Sequence, residues 1–118
     1  MATIMVVDDA SFMRQRCTQL LHDNGYETLS AVNGREAVEM YQQHKPDAVL
    51  LDITMPDMDG VEALKEIMKL DKNARIAKVT AKGQQGMVLE CMKAGAKDFV
   101  VKPFDPPRLL AAVHKLID

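Results

Sequence analysis

Polar side chains stand at the ends of four apolar runs in the sequence. In chain order they are Asp8 and Asp9, Asp52, Thr80 and Lys102. Ligands of a parallel sheet bind beyond the carboxyl ends of its strands, so we expect these side chains to meet at one edge. Three clustered carboxylates repel one another unless a cation joins them, and hard oxygen ligands suit Mg²⁺. With Lys102 as a point charge for a phosphoryl oxygen, the set fits phosphoryl transfer onto a carboxylate.

Each of these residues also has a plain structural explanation when it is taken alone. Asp9 could cap a first helix, and Asp52 could be a turn residue at a strand end. Lys102 could be a solvated surface lysine, and Thr80 could be an ordinary strand residue. Their joint placement at the ends of four strands favours a site over a collection of caps and turns.

Short runs rich in Val, Ile and Leu alternate with stretches of helical periodicity. The runs are Ile4–Val7, Thr28–Val32, Ala48–Leu51, Ile76–Thr80 and Phe99–Val101. The helical stripes that follow them begin at Met13, Ala37, Val61, Val88 and Leu109. Runs that are apolar on both faces are typical of a parallel sheet covered by helices. The pattern therefore predicts an α/β fold, a doubly wound (βα)5 sandwich, with residues 1–118 as one domain.

Residues that start and stop helices occur at matching positions. They are the stops Gly25 and Gly95, the capping-box pairs Asn33 with Glu36 and Asp59 with Glu62, and the start Asp105-Pro106-Pro107. Glycine ends helices because it adopts positive φ at no steric cost, and a capping box satisfies two free N–H groups. Five helices are therefore predicted, one after each run.

Composition and charge limit the classes of function. The 118 residues are 47% hydrophobic and 27% charged, with no apolar stretch long enough for a membrane span and no signal peptide. Cys17 and Cys91 lie on apolar stripes and predict buried thiols of a cytoplasmic protein rather than a disulfide framework or zinc site. The net charge of −2 combines six excess acids in residues 1–59 with four excess bases in residues 60–118. This balance predicts no general attraction to nucleic acid.

Four short motifs carry a family resemblance. They are Val6-Val7-Asp8-Asp9, Asp52-Ile53-Thr54-Met55-Pro56-Asp57-Met58-Asp59-Gly60, Val79-Thr80-Ala81 and Lys102-Pro103-Phe104. In this order, over the whole chain, they resemble the response-regulator receiver domains of two-component signalling, and among them the single-domain chemotaxis regulators. The resemblance implies a flavodoxin-like fold with strand order 2-1-3-4-5. It also implies a signalling switch rather than an enzyme, apart from phosphotransfer to itself and its own dephosphorylation.

The resemblance assigns roles residue by residue. Asp52 is implied as the phosphoacceptor, with Mg²⁺, for which Mn²⁺ can substitute, held by Asp8, Asp9, Asp52 and the backbone carbonyl of Thr54. Lys102 is implied to pair with the phosphoryl group, and its bond to Pro103 to be cis. Thr80 is the implied switch hydroxyl and Phe99 the implied switch aromatic. Thr54 and Lys82 are implied to tune the hydrolysis rate, although a solvated loop lysine is an equal alternative for Lys82.

The partners follow from the same resemblance. A sensor histidine kinase (CheA-like) is implied to donate the phosphoryl group from a phosphohistidine. The fourth helix, fifth strand and fifth helix are the implied output face, with a flagellar motor switch protein and a phosphatase as candidate partners of a monomer. The chain ends soon after its last predicted helix, which leaves no room for an output domain, although a receiver excised from a larger regulator stays open.

Two other classes of function share features with this pattern. A haloacid-dehalogenase-type phosphohydrolase also has a nucleophilic aspartate, but it needs a second acid two residues later, where Thr54 stands, and a cap insertion. A nucleotide-binding flavodoxin-like module would need a glycine-rich phosphate loop, and none of the six glycines forms one. Both classes are less favoured than the receiver.

Lys78 departs from the pattern. It lies in the fourth apolar run, two residues before Thr80 and on the same face. Lysine is almost never fully buried without a partner. We therefore expect its side chain to extend toward solvent or toward a carboxylate.

Overall fold

A computed structural model describes residues 2–52, 60–81, 88–102 and 105–117. The elements are β1 (Thr3–Val7), α1 (Ser11–Asp23), β2 (Glu27–Ala31), α2 (Gly34–His44), β3 (Ala48–Asp52), α3 (Gly60–Leu70), β4 (Ile76–Ala81), α4 (Val88–Ala94), β5 (Asp98–Lys102) and α5 (Pro106–Ile117). The five strands form one parallel sheet in the order β2-β1-β3-β4-β5. The predicted doubly wound α/β fold and its strand order are confirmed.

The sheet is covered on both faces because its strands carry apolar side chains on both. One core lies between the sheet and helices α2, α3 and α4, and the other lies between the sheet and helices α1 and α5. Successive residues of β1 alternate between them: Met5 packs in the first core, and Ile4 and Val6 pack in the second. Cys17 and Cys91 are both buried, as predicted.

The helix ends follow the predicted signals. Asn33 caps α2, and its side-chain oxygen accepts a hydrogen bond of 2.8 Å from the backbone N–H of Glu36. The Glu36 carboxylate accepts in return from the N–H of Val32, one residue before the cap. Gly25 and Gly95 follow α1 and α4 with φ of 90° and 121°. Asp59 of the second predicted capping box lies outside the described residues.

One detail differs from the sequence pattern. Met92 stands four positions after Val88, at the spacing of the fourth apolar stripe, but the residue is 39% exposed. The helix has only seven residues, and Cys91 is its buried residue. None of the helices in the described ranges is both long and apolar enough to cross a membrane.

Candidate functional site

Asp8, Asp9 and Asp52 converge at the carboxyl edge of the sheet. β1 and β3 are neighbours, with Val7 paired to Leu51, so the residues after Val7 and the last residue of β3 lie side by side. One carboxylate oxygen from each aspartate lies within 4.8 Å of the others. Asp8 and Asp52 are buried, whereas Asp9 is exposed. The cluster is therefore closed below by the sheet and open on one side.

Lys102 reaches this cluster from the far side of β4. Its Nζ lies 3.1 Å from Oδ2 of Asp8 and 3.1 Å from Oδ2 of Asp52. Burial of the amine opposes its charged form, but the negative charges of Asp52 and Asp8 outweigh that effect and raise the pKa of Lys102. A single ammonium thus offsets part of the repulsion between two buried carboxylates.

Two further hydrogen bonds hold Asp8, one to its side chain and one to its main chain. Oδ1 of Asp8 accepts a hydrogen bond of 2.9 Å from the N–H of Ala10, and its carbonyl oxygen accepts one of 2.7 Å from Nη1 of Arg14. The N-cap of α1 is Ala10, with no side-chain cap hydrogen bond. The explanation of Asp9 as a helix cap is therefore wrong, and its carboxylate faces the cluster instead.

Thr80 lies on β4 next to this edge, and its side chain is fully buried. Within the part of the chain that the structure describes, its Oγ1 has no hydrogen-bond partner. Buried hydroxyls are nearly always paired, because leaving one without a partner costs about 1–3 kcal/mol. A hydroxyl left in this state next to the edge that holds the carboxylate cluster is suited to take a new hydrogen-bond partner.

Lys78, two residues earlier on β4, is fully buried. Its Nζ donates a hydrogen bond of 3.3 Å to the main-chain carbonyl oxygen of Asp52. Of the two expected directions, toward solvent or toward a carboxylate, the first is wrong because the residue is fully enclosed, and this hydrogen bond ends on a main-chain oxygen of β3. The sequence singled out Lys78 as anomalous, but its pattern gave no signal for this partner.

Phe99 lies on β5, partly buried, at the start of the output face implied by the resemblance. Its carbonyl oxygen accepts a hydrogen bond of 2.7 Å from Nη2 of Arg108 on α5. The same guanidinium nitrogen lies 3.6 Å from Asp98, whose Oδ1 also accepts from the N–H of Phe99. Arg108 was not identified from the sequence, because nothing in its spacing marks it out from other surface arginines.

Thr54, Lys82 and the Lys102–Pro103 bond carry predictions that fall outside the described residues. The metal set can still be tested on the donors that are described. Three carboxylates offer oxygens that lie within 4.8 Å of one another, and two of the three are buried. Carboxylate oxygens are the donors that Mg²⁺ takes in phosphoryl-transfer sites. The residues present therefore fit a divalent cation of this kind.

Comparison with known proteins gives a consistent result. The family model for the response regulator receiver domain matches residues 4–114. Chemotaxis protein CheY of Thermotoga maritima is 54% identical over 114 residues, which cover 96% of this chain and 95% of that protein. CheY of Bacillus subtilis is 52% identical over 116 residues, covering 98% of this chain and 97% of that protein. A chain in the crystal structure of the CheX–CheY–BeF3–Mg²⁺ complex from Borrelia burgdorferi is 39% identical, with a TM-score of 0.94 and coverage of 99% and 90%.

The chain belongs to the response-regulator receiver family. It is homologous to the CheY chemotaxis regulators, which is consistent with a phosphorylation-dependent switch of a two-component system. Proteins of this family are usually treated as signalling switches rather than enzymes, and the phosphohydrolase alternative is not favoured. Receiver domains bind Mg²⁺ through an acidic cluster such as the one formed here by Asp8, Asp9 and Asp52. The homology also implies a histidine kinase as partner.

Proposed function

We propose that Asp52 is the phosphoacceptor of this receiver and takes a phosphoryl group from a kinase phosphohistidine. The observation that carries the proposal is the pair of 3.1 Å contacts that Lys102 makes with Asp8 and Asp52. A buried aspartate beside a cation and two further carboxylates is where phosphoryl charge would be best balanced. The whole chain, residues 1–118, is the receiver domain in this proposal.

The chemical step transfers the phosphoryl group from a nitrogen of the kinase to an oxygen of Asp52. A carboxylate oxygen of Asp52 attacks phosphorus and the phosphorus–nitrogen bond of the phosphohistidine breaks. The departing ring nitrogen keeps that electron pair and takes up a proton from water, which gives neutral imidazole. Lys102 Nζ follows the transferred group, because it already contacts an oxygen of the acceptor. Mg²⁺, or Mn²⁺ in its place, supplies charge neutralisation for the phosphoryl oxygens when it is bound. Asp8, Asp9 and Asp52 would hold it, together with the backbone carbonyl of Thr54.

Reversal of the signal uses the same residues in this proposal. Water attacks the phosphorus of the aspartyl phosphate, the bond to the Asp52 oxygen breaks, and inorganic phosphate leaves. The chain thus catalyses its own modification and its own dephosphorylation without turning over an external substrate. In this proposal, Thr54 and Lys82 are the residues that tune the rate of this hydrolysis.

Thr80 connects the chemistry to the output face. Its buried Oγ1 has no partner among the described residues, so a phosphoryl oxygen on Asp52 offers it the missing hydrogen bond. Movement of Thr80 makes room for Phe99 to turn inward, which changes the surface formed by α4, β5 and α5. Phosphorylation in this way shifts the balance between two states of the domain.

The proposal extends to the proteins that act on this domain and bind its output face. The donor is a CheA-like kinase, and the output partners are a flagellar motor switch protein and a phosphatase, acting on a cytoplasmic monomer. The sequence identity of more than 50% to two CheY proteins supports the chemotaxis assignment. The Borrelia burgdorferi CheY is known in complex with CheX together with BeF3 and Mg²⁺, which supports a partner that reads the activated form.

Phosphorylation of variants with acetyl phosphate and Mg²⁺ tests the acceptor assignment. Asp52→Asn keeps the size of the side chain and removes the nucleophile, so we expect no label on a protein that melts no lower than wild type. Asp23→Asn makes the same chemical change at the far end of α1, where the carboxylate contacts Gln19, and should be labelled normally. Labelling of Asp52→Asn at the wild-type rate would falsify the assignment.

A further inference from the structure

Lys78 is an unusual member of the core. Its side chain is fully buried in a sheet whose other large enclosed side chains are apolar. Taking an amine out of water is costly unless a specific interaction compensates for it. A methionine or leucine would fill the same volume without that cost. A polar group kept at such a position points to a role other than stability.

The hydrogen bond of Lys78 identifies that role. Nζ donates over 3.3 Å to the carbonyl oxygen of Asp52. That oxygen belongs to the peptide unit which leaves β3 directly after the acceptor. The amine does not bond to Oγ1 of Thr80, which lies on the same face of β4 and has no partner among the described residues. Lys78 thus acts on the main chain of the acceptor and not on the switch hydroxyl.

Other donors hold the neighbouring acid in the same manner. The carbonyl oxygen of Asp8 accepts from Arg14, and its carboxylate accepts from Lys102. Lys102 also binds the Asp52 carboxylate. Both Asp8 and Asp52 are therefore held through the side chain and through the main chain. A carboxylate fixed in this way keeps its orientation when a phosphoryl donor arrives.

We propose that Lys78 is a positioning residue for phosphorylation, which fixes the acceptor aspartate through the carbonyl oxygen of Asp52. The proposal rests on the proposed role of Asp52 as acceptor. An amino group carries N–H donors in both of its protonation states, so the hydrogen bond does not depend on titration. The role adds to that of Lys102, which contacts the carboxylate itself.

Lys78→Met is the test, because it removes the donor and keeps the volume. Per folded molecule, we expect phosphorylation by acetyl phosphate at saturating Mg²⁺ to slow about tenfold, the effect of losing one hydrogen bond of ordinary strength. The urea midpoint of each variant is measured alongside, so that every rate refers to folded protein only. A purely structural residue would lower the midpoint without slowing the reaction of the molecules that remain folded.

Ile76→Met is the matched control. Ile76 lies two residues earlier on the same face of β4 and is also fully buried, but it has no polar group to lose. It should be phosphorylated at the wild-type rate. If Lys78→Met does not fold, Lys78→Leu takes its place, and rates are again expressed per folded molecule.

The outcomes separate the two proposals. A wild-type rate in the Lys78 variant, or an equal loss of rate in Ile76→Met, overturns the positioning role. In either case Asp52→Asn should still take no label, so the acceptor assignment stands. Label on Asp52→Asn instead overturns the acceptor assignment, and the positioning role with it.

Discussion

The hydroxyl of Tyr41 donates a hydrogen bond of 2.9 Å to Oδ2 of Asp71. Tyr41 is buried on α2, and Asp71 follows the end of α3. The other carboxylate oxygen of Asp71 accepts from the N–H of Asn73. One carboxylate thus joins α2 to the turn that leads into β4, on the side of the sheet away from α1 and α5.

Tyr41→Phe should remove this link and, with it, the part of the pH dependence of stability that the link contributes. Loss of the hydroxyl is expected to lower the free energy of unfolding by about 1 kcal/mol at neutral pH. The N–H of Asn73 and the Tyr41 hydroxyl lower the pKa of Asp71 below its ordinary value. The link therefore contributes fully above that ordinary value and is lost as pH falls through the lowered pKa. Urea unfolding across the acid range should show the difference between wild type and Tyr41→Phe shrinking toward zero. A difference that stays constant would show that the carboxylate is not involved.

Gly25→Ala and Gly95→Ala should differ in cost although both remove a glycine at positive φ. A side chain in that region costs about 1–2 kcal/mol. Gly25 has open space around an added Cβ, whereas at Gly95 the Cβ would come within 2.9 Å of Met68. Gly95→Ala is therefore expected to lower the urea midpoint more than Gly25→Ala. Equal midpoints would show that Met68 moves aside freely.

Thr80→Val should stabilise the protein while removing its response. The variant eliminates a buried hydroxyl that lacks a partner among the described residues, so the free energy of unfolding is expected to rise by about 1 kcal/mol. The change in the amide spectrum of β5 on adding beryllofluoride and Mg²⁺ should be lost. Thr28→Val is the control, since that hydroxyl is paired with His22 and its removal should bring no gain in stability. A full beryllofluoride response in Thr80→Val would rule out the switch role.

Lys102→Met should change metal binding and phosphorylation in opposite directions. Without the ammonium, the carboxylates of Asp8 and Asp52 attract a cation more strongly, and Mg²⁺ is expected to bind about tenfold more tightly. Phosphoryl uptake should fall by about a hundredfold, because the charge on the transferred group loses its partner. Calorimetry and acetyl phosphate labelling measure the two effects. Lys115→Met, on the exposed side of α5, should change neither, and weaker Mg²⁺ binding in Lys102→Met would contradict the charge argument.

Most of the fold could be predicted from the periodicity of apolar residues in the sequence. Apolar runs such as Ala48–Leu51 and helical stripes such as the one at Leu109 predict which faces are buried, because burial repeats with the geometry of the backbone. Strand ends follow directly, so the convergence of Asp8, Asp52 and Lys102 could be anticipated from the order of elements. Strand order came from the family resemblance, since periodicity alone does not say which strands are neighbours.

The partners of long side chains could not be predicted in this way. Arg14, Lys78 and Arg108 each donate to a main-chain oxygen of another element. Whether such a side chain meets solvent, a carboxylate or a carbonyl depends on its rotamer and on tertiary distances, which leave no trace in residue spacing. Lys78 could be recognised as anomalous because its burial conflicts with its type. Arg14 and Arg108 show no such conflict, so the sequence did not indicate that either residue has a specific partner.

The contacts of Lys102 join parts of the chain that are made at very different times. Its partner Asp8 precedes it by 94 positions, and Asp52 precedes it by 50. During synthesis, Asp8, which follows β1, and Asp52 of β3 leave the ribosome well before the lysine of β5 does. A partly made chain therefore exposes these carboxylates without the ammonium that contacts them. The contacts of Lys102 are in this way tied to completion of the fold, because the fifth strand must join the sheet before its lysine can reach either carboxylate.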